Sequence, residues 1–304
     1  MSWRKGLPLS LLATAGLWAY VRWALGRLET LELSQVPRPG EVARVQGVEI
    51  HYVQEGQGHP VILLHGLGGS IYNFRSTIPA MAQSFRVVAL DLPGFGLSER
   101  PRDRGYCFSD LACLVRDFLD HMGIERAHVV GHSMGGMVAA RLAARFPERV
   151  DKLVLVASPI HLAPPRLLGL PLLEPVWWMV VGFAVSSRPI REMIWRNGFY
   201  DPAALTPTDM EQYLLPSRIK GYTRCLVRLL RSAAYDRPPE LSLLAHPTLI
   251  LWGDGDRPIT APSVGRWLQE RLPNSRLQII SKARHMLLEE LPQEANEAIT
   301  AFLR

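Results

Sequence analysis

Residues 126–136 read RAHVVGHSMGG: an apolar β-branched run ends in a glycine, sets Ser133 between Gly131-His132 and Met134-Gly135, and passes directly into GGMVAARLAARF (135–146). Packing alone would favour a larger residue than serine at the end of such a run. A strand, a tight turn and a helix are the three parts that Gly-x-Ser-x-Gly needs to lift a hydroxyl clear of a sheet. The glycines permit the turn, and the helix N-terminus sets backbone N–H groups beside the oxygen. The stretch predicts an elbow with Ser133 at its tip, and with it an α/β fold.

The neighbouring sequence agrees. HPVILLHG (59–66), FRVVALDLPG (85–94), DKLVLVAS (151–158), HPTLILWGD (246–254) and SRLQIIS (275–281) are compact runs rich in Val, Ile and Leu, each expected to be a strand buried on both faces. EVARV (41–45) and VEIHYVQEG (48–56), separated by Gln46-Gly47, carry a hairpin signature. Between the apolar runs lie helical patterns: FSDLACLVRDFLDHMG (108–123), with Ser109 as the expected cap, PSVGRWLQERL (262–272) and PQEANEAITAFLR (292–304). Strands alternating with helices predict a mostly parallel sheet covered on both faces, with the ligand end at the strands' carboxyl ends.

Residues 161–239 break the alternation. They contain no buried-strand pattern but several apolar helical stretches, including RLLGLPLLEPVWWMVVGFAV (166–185). The expected division is therefore a core over residues 40–160, a helical cap over 161–239, and a second part of the core over 240–304.

Before the core lies KGLPLSLLATAGLWAYVRWALGR (5–27), nearly uncharged from Gly6 to Val21, with Trp18, Tyr20 and Trp23 beside Arg22 and Arg27. Residues 1–33 are expected to form a membrane anchor or an interfacial helix, the aromatic cluster fitting a headgroup belt. Two alternatives stay open: a signal peptide cleaved near Ala13-Thr14-Ala15, and a helix packed on the domain.

The formal charge is +6, but the arginines are scattered, the lysines are only Lys5, Lys152, Lys220 and Lys282, and no nucleic-acid-binding pattern is present. A weak attraction to anionic headgroups suits this charge better than a nucleic-acid partner. Cys107, Cys113 and Cys225 are too few and too scattered for a disulfide framework or a zinc pattern, and no metal, nucleotide or flavin is expected. Nothing in the sequence speaks to oligomeric state.

A serine hydroxyl attacks well only when a base takes its proton, and the base needs an acid to hold its tautomer. Of the nine histidines, His285 alone lies just past the last expected strand, and WGDGD (252–256) supplies Asp254 and Asp256 just past the preceding one. The order Ser, Asp, His follows.

With these residues in place the sequence resembles the α/β-hydrolases that carry a cap after the sixth core strand, from about residue 40 to 304. In that family a W-G-x-x-D signature puts the acid at its last position, which implies Asp256 and leaves Asp254 as a turn residue. HGLGG (65–69) matches the family's oxyanion loop. The resemblance implies that the N–H groups of Leu67 and Met134 receive the oxyanion; His65 is expected to fix the loop, and His65 and Gly66 are candidate substrate contacts. Asp91 in DLPGFGLSERP (91–101) is expected to serve turn chemistry.

Serine at the elbow differs from the aspartate of haloalkane dehalogenases and epoxide hydrolases. The expected reaction is hydrolysis of a carboxylic ester. An apolar, Trp-rich cap and a membrane-directed N-terminus imply a lipid-like substrate, as in monoacylglycerol lipases with an N-terminal membrane segment, with Trp177 and Trp178 as candidate substrate contacts. The competing enzyme is a carbon–carbon hydrolase of the meta-cleavage-product type, whose members typically follow the catalytic histidine with tryptophan where this chain has Met286. From another class, the competitor is a ligand-binding receptor or scaffold that keeps the triad without turnover.

Overall fold

The computed structural model describes residues 9–103, 105–257 and 261–304, with side chains from residue 15 onward. Eight strands form one sheet: β1 (Glu41–Val45), β2 (Val48–Glu55), β3 (Pro60–Leu64), β4 (Arg86–Leu90), β5 (Ala127–His132), β6 (Val150–Val156), β7 (Thr248–Gly253) and β8 (Ser275–Ile280). Their order across the sheet is β1-β2-β4-β3-β5-β6-β7-β8. The first two pairings, β1 with β2 and β2 with β4, are antiparallel, and the rest are parallel. Gln46 and Gly47 both take positive φ, 50° and 79°, which gives the β1–β2 hairpin the backbone twist of a tight two-residue turn.

β5 and β7 are buried at every residue and β3 and β4 at all but the first, as continuous apolar runs in the middle of a covered sheet should be. β8 is the exception. It alternates half-buried and exposed positions because it is an edge strand with only one neighbour, so the expectation of burial on both faces fails there.

Eleven helices are described: α1 (Leu9–Leu28), α2 (Thr77–Met81), α3 (Phe108–His121), α4 (Met134–Arg145), α5 (Glu174–Ser186), α6 (Arg188–Asn197), α7 (Pro207–Leu214), α8 (Tyr222–Ala233), α9 (Pro262–Gln269), α10 (Leu287–Glu290) and α11 (Pro292–Leu303). α3 buries Leu111, Leu114, Val115, Phe118 and Leu119 along one stripe. Its cap is Cys107, whose sulfur accepts from the Asp110 N–H, while Ser109 lies inside the helix and donates its hydroxyl to Asp236 at 2.6 Å. The expected Ser109 cap is thus displaced by two residues, because Asp236 claims that hydroxyl and also accepts from the Ser109 N–H at 3.0 Å. Asp236 pairs with Arg141 of α4 at 3.0 Å as well, which ties the end of α8 to the core.

Between β6 and β7 the described chain forms α5 to α8 and no strand of the sheet. These helices attach to the core in two places. Val181, Val185, Cys225, Val227 and Leu229 join the main hydrophobic core, while Phe199, Leu205, Met210, Tyr213 and Leu214 form a second cluster with Met286.

No helix among the described residues is long and apolar enough to cross a membrane. Instead of standing free of the domain, α1 lies against α5, burying Val21 and Leu25 where Gly182 lets the two backbones approach. Of the readings of residues 1–33, the spanning anchor finds no support among the described residues, whose contacts match a helix packed on the domain; residues 1–8 lie outside them.

Candidate active site

Four loops at the carboxyl ends of β3, β5, β7 and β8 build the site. After β5 the chain turns at Ser133, whose φ of 51° and ψ of −115° fall where a side chain is strained, and α4 begins at the next residue. The turn holds because the Ser133 N–H donates to the Val156 carbonyl at 2.8 Å and because glycines pack against backbone on both sides. A Cβ at Gly131 would lie 2.4 Å from the Gly136 nitrogen, and one at Gly135 would lie 2.0 Å from the Leu64 carbonyl oxygen. No side chain larger than hydrogen fits at either position, which is the physical content of the glycines in Gly-x-Ser-x-Gly.

After β7, Asp256 is buried and accepts from the Arg257 N–H at 2.9 Å through Oδ1. Its Oδ2 lies 3.0 Å from Nδ1 of His285, which follows β8. Asp254 is exposed and its Oδ1 accepts from the Lys282 N–H at 2.9 Å, a turn contact. The two aspartates of WGDGD therefore have different surroundings, and only Asp256 meets the histidine among the described hydrogen bonds. Ser133 and His285 are both half-buried, neither sealed in the core nor fully exposed.

His285 is held from several directions. Nε2 of His132, the residue before the serine, lies 2.8 Å from the His285 carbonyl oxygen, and the two rings sit 4.8 Å apart. Burial first, and the neighbouring His285 second, push the His132 imidazole down to about 3, so it is neutral and donates through Nε2. Met286 donates its N–H to the Gly198 carbonyl of the cap at 3.0 Å. Four residues past the histidine, Glu289 has a buried side chain that accepts from Asn73 at 2.9 Å, from the Arg75 guanidinium and from the Tyr213 hydroxyl of α7. Burial raises the Glu289 carboxyl despite these three partners. The histidine loop is thus clamped between core and cap. Neither His132 nor Glu289 announced itself in the sequence, since both act through folding partners far away along the chain.

The remaining loop is HGLGG, which follows β3. His65 is fully buried, its Nδ1 lies 2.7 Å from the Gly66 carbonyl oxygen, and its Nε2 accepts from the Leu92 N–H at 3.0 Å. Burial holds it below the ordinary histidine range, and both nitrogens are occupied in bracing the loop. A Cβ on Gly66 would come within 3.2 Å of the Ser133 Cβ, so this loop lies directly against the elbow. Met134 opens α4, where no carbonyl of the helix can reach its N–H. Among the described residues neither that N–H nor the one of Leu67 is engaged in a hydrogen bond.

Asp91 is structural. Its Oδ1 accepts from the Ile71 N–H and its Oδ2 from the Leu97 N–H, each at 2.7 Å, and Oδ2 also faces His51 at 2.7 Å. The cap tryptophans point elsewhere. Trp177 donates its indole N–H to the Leu168 carbonyl at 2.7 Å, and Trp178 lines a cleft of about 490 Å³ between α1 and α5 together with Trp18, Val21 and Leu25. No described contact joins either tryptophan to Ser133, Asp256 or His285, so their expected role at the substrate does not follow from the fold.

A strained serine between a strand and a helix, an aspartate-bound histidine and a loop with free N–H groups make up the arrangement of a hydrolase. The chain belongs to the alpha/beta hydrolase fold family, which it matches over residues 59–292. It is 30% identical over 266 residues to the uncharacterized hydrolase YugF of Bacillus subtilis (strain 168), covering 86% of this chain and 96% of that one. Among solved structures, it resembles a meta-cleavage product hydrolase from Pseudomonas fluorescens IP01, with a TM-score of 0.74 and 27% identity over 87% of this chain and 97% of the other. It also resembles a bacterial membrane phospholipase A, with a TM-score of 0.71 and 27% identity; that match covers 96% of this chain and 91% of the other.

Proposed function

We propose that this α/β hydrolase is a serine esterase that cleaves lipid-like carboxylic esters. The observation that carries the reading is the 3.0 Å bond between Asp256 and His285 at the strand ends next to a serine elbow. In the proposed reaction Ser133 Oγ attacks the ester carbonyl and passes its proton to Nε2 of His285, while Asp256 holds the Nδ1 proton and stabilises the imidazolium. The N–H groups of Leu67 and Met134 receive the negative charge of the tetrahedral oxygen, a contribution of about 3–4 kcal/mol per donor in related chemistry. His285 then returns the proton to the departing alkoxide. A water, deprotonated by the same histidine, releases the acid and restores the serine.

The lipid-like substrate class and a membrane surface as partner rest on the outer face of the molecule. Leu17, Tyr20 and Trp23 of α1 and Val176, Val180 and Phe183 of α5 are all exposed, on two helices that pack together. Arg22 and Arg27 lie over Trp18 and Trp23, the pairing of cation and aromatic that suits a headgroup layer. In this reading α1 lies in the interface and the cap faces the lipid. The bacterial membrane phospholipase A, whose match covers 96% of this chain, supports this reading.

Hydrolysis of an ester series from short to long acyl chains, with a monoacylglycerol, by wild type and Ser133→Ala tests the substrate class. Serine-dependent turnover that rises with chain length supports it; turnover confined to short esters counts against it. Co-sedimentation with anionic vesicles tests the surface, and Tyr20→Glu with Trp23→Glu should release the protein. Unchanged sedimentation would remove α1 from the account.

A second reading is a carbon–carbon hydrolase, favoured by the likeness to the meta-cleavage product hydrolase. Serine-dependent cleavage of a vinylogous diketo acid, without turnover of any ester, would put it first.

A further inference from the structure

The geometry points to a binding site for a borderline divalent transition-metal ion, of the zinc, cobalt or nickel type, formed by His59, His128 and Asp151 at the end of the sheet opposite Ser133. No metal pattern shows along the chain because the three residues come from separate strands. His59 precedes β3, His128 is the second residue of β5 and Asp151 the second of β6, and these three strands are neighbours in the sheet. One ligand atom from each lies within 4.8 Å of the others.

The local backbone explains the convergence. Between Ala127 and Val129 the pairing of β5 with β6 shifts register, so Ala127 faces Val150 while Val129 faces Leu153. Such an irregularity re-aims side chains at a strand end. Here it accompanies the meeting of His128, Asp151 and His59 at one edge of the sheet.

The donor set is unusually open. Nδ1 of His128 and Oδ2 of Asp151 are both buried atoms without a hydrogen-bond partner among the described residues. His59 Nε2 approaches Asp151 Oδ2 to 2.8 Å, yet the angles do not make that approach a hydrogen bond. His128 is itself only 6% exposed. The other carboxylate oxygen, Asp151 Oδ1, is fixed by Arg126 at 2.6 Å, which orients the group and leaves Oδ2 to the cluster. Buried lone pairs left unpaired are costly, and a cation shared among them removes the cost.

Two imidazoles and one carboxylate suit zinc, cobalt, nickel or copper rather than calcium or magnesium, which prefer all-oxygen shells. Tetrahedral ligands at zinc stand about 3.4 Å apart, so the cluster has to contract by roughly an ångström. His59 can supply that movement, because its side chain is 44% exposed and follows Gly56 and Gly58, both at positive φ. The cluster opens onto a cleft of about 440 Å³ also lined by Phe85, Lys152 and Pro247, which leaves the remaining coordination position to water or a small anion. Bound there, the ion pins the amino ends of three core strands, with no direct part in the chemistry at their carboxyl ends.

Untagged, metal-stripped protein titrated with cobalt(II) provides the test. One equivalent should bind with visible d–d absorption, and zinc should displace it and raise the Tm by at least about 2 °C. His59→Ala, at a half-exposed position that folding tolerates, should weaken cobalt binding at least tenfold and abolish the Tm shift. Ser133→Ala should bind as the wild type does. Absence of a stoichiometric d–d signal in the wild type, or binding by His59→Ala equal to wild type, overturns the site. Because every readout is binding or stability, the result stands apart from whether the protein is an esterase.

Discussion

His132 and His285 meet at the tip of the elbow, Nε2 of the first lying 2.8 Å from the backbone carbonyl of the second. The neutral His132 thereby ties the His285 loop to the strand end that precedes Ser133. His132→Ala should lower kcat by about tenfold to a hundredfold, the scale of a displacement of order one ångström, with little change in KM. His132→Gln keeps an N–H within reach of that carbonyl and should recover part of the loss. Steady-state kinetics on a p-nitrophenyl ester separate the two parameters; a change confined to KM would mean that His132 contacts substrate instead.

The two aspartates of WGDGD make opposite predictions. Asp256→Asn removes the charge that holds His285 and should cost about 10⁴ in kcat. Asp254→Asn keeps an oxygen for the Lys282 N–H and should retain most of the activity. Rates for the two variants, measured side by side, decide the assignment.

At the elbow, Gly135→Ala brings a methyl group 2.0 Å from the Leu64 carbonyl oxygen and 2.8 Å from that of His65. Both atoms are backbone where β3 passes into the loop that carries Leu67, so the strain cannot be relieved by a rotamer. Urea unfolding should show a loss of about 1–3 kcal/mol. Activity should fall further than stability, because the same movement shifts an oxyanion donor.

A pH effect on stability follows from His51. Burial opposes its charge, but Asp91 at 2.7 Å and the Pro39 carbonyl at 2.7 Å outweigh burial and raise it above the ordinary histidine range. A raised histidine contributes stability that is complete below about pH 6.5 and is lost as pH climbs through its folded value. The gap in urea midpoint between wild type and His51→Gln should therefore be widest below pH 6.5 and narrow as the pH rises beyond it. A gap that widened with pH would reverse the sign.

Much of this arrangement is legible in the order of residues alone. The Val, Ile and Leu runs mark their own strands because a covered parallel sheet admits little else, and the glycines around Ser133 mark the turn because backbone fills the space a Cβ would need. Other parts depend on distance through space. β8 shares the Leu and Ile content of the central strands, but Arg276 and Gln278 alternate with them and are its exposed positions, as suits an edge strand with one neighbour. Ser109 has the chemistry of a cap, yet Asp236, 127 residues away, takes its hydroxyl. The α1 sequence points first to an anchor or interfacial helix, and the contact of Val21 and Leu25 with α5 is written in neither segment alone. The same holds for Glu289 and for His59, His128 and Asp151, whose partners are set by the sheet.

The most direct test of the account is covalent labelling of the serine. Wild-type protein treated with a fluorophosphonate should gain one phosphonyl group, mapped by peptide mass spectrometry to Ser133, and should lose ester hydrolysis in step with labelling. His285→Ala should label far more slowly, and Ser133→Ala not at all. Labelling at another residue, or none in folded wild type, would contradict the nucleophilic serine on which the proposed function stands.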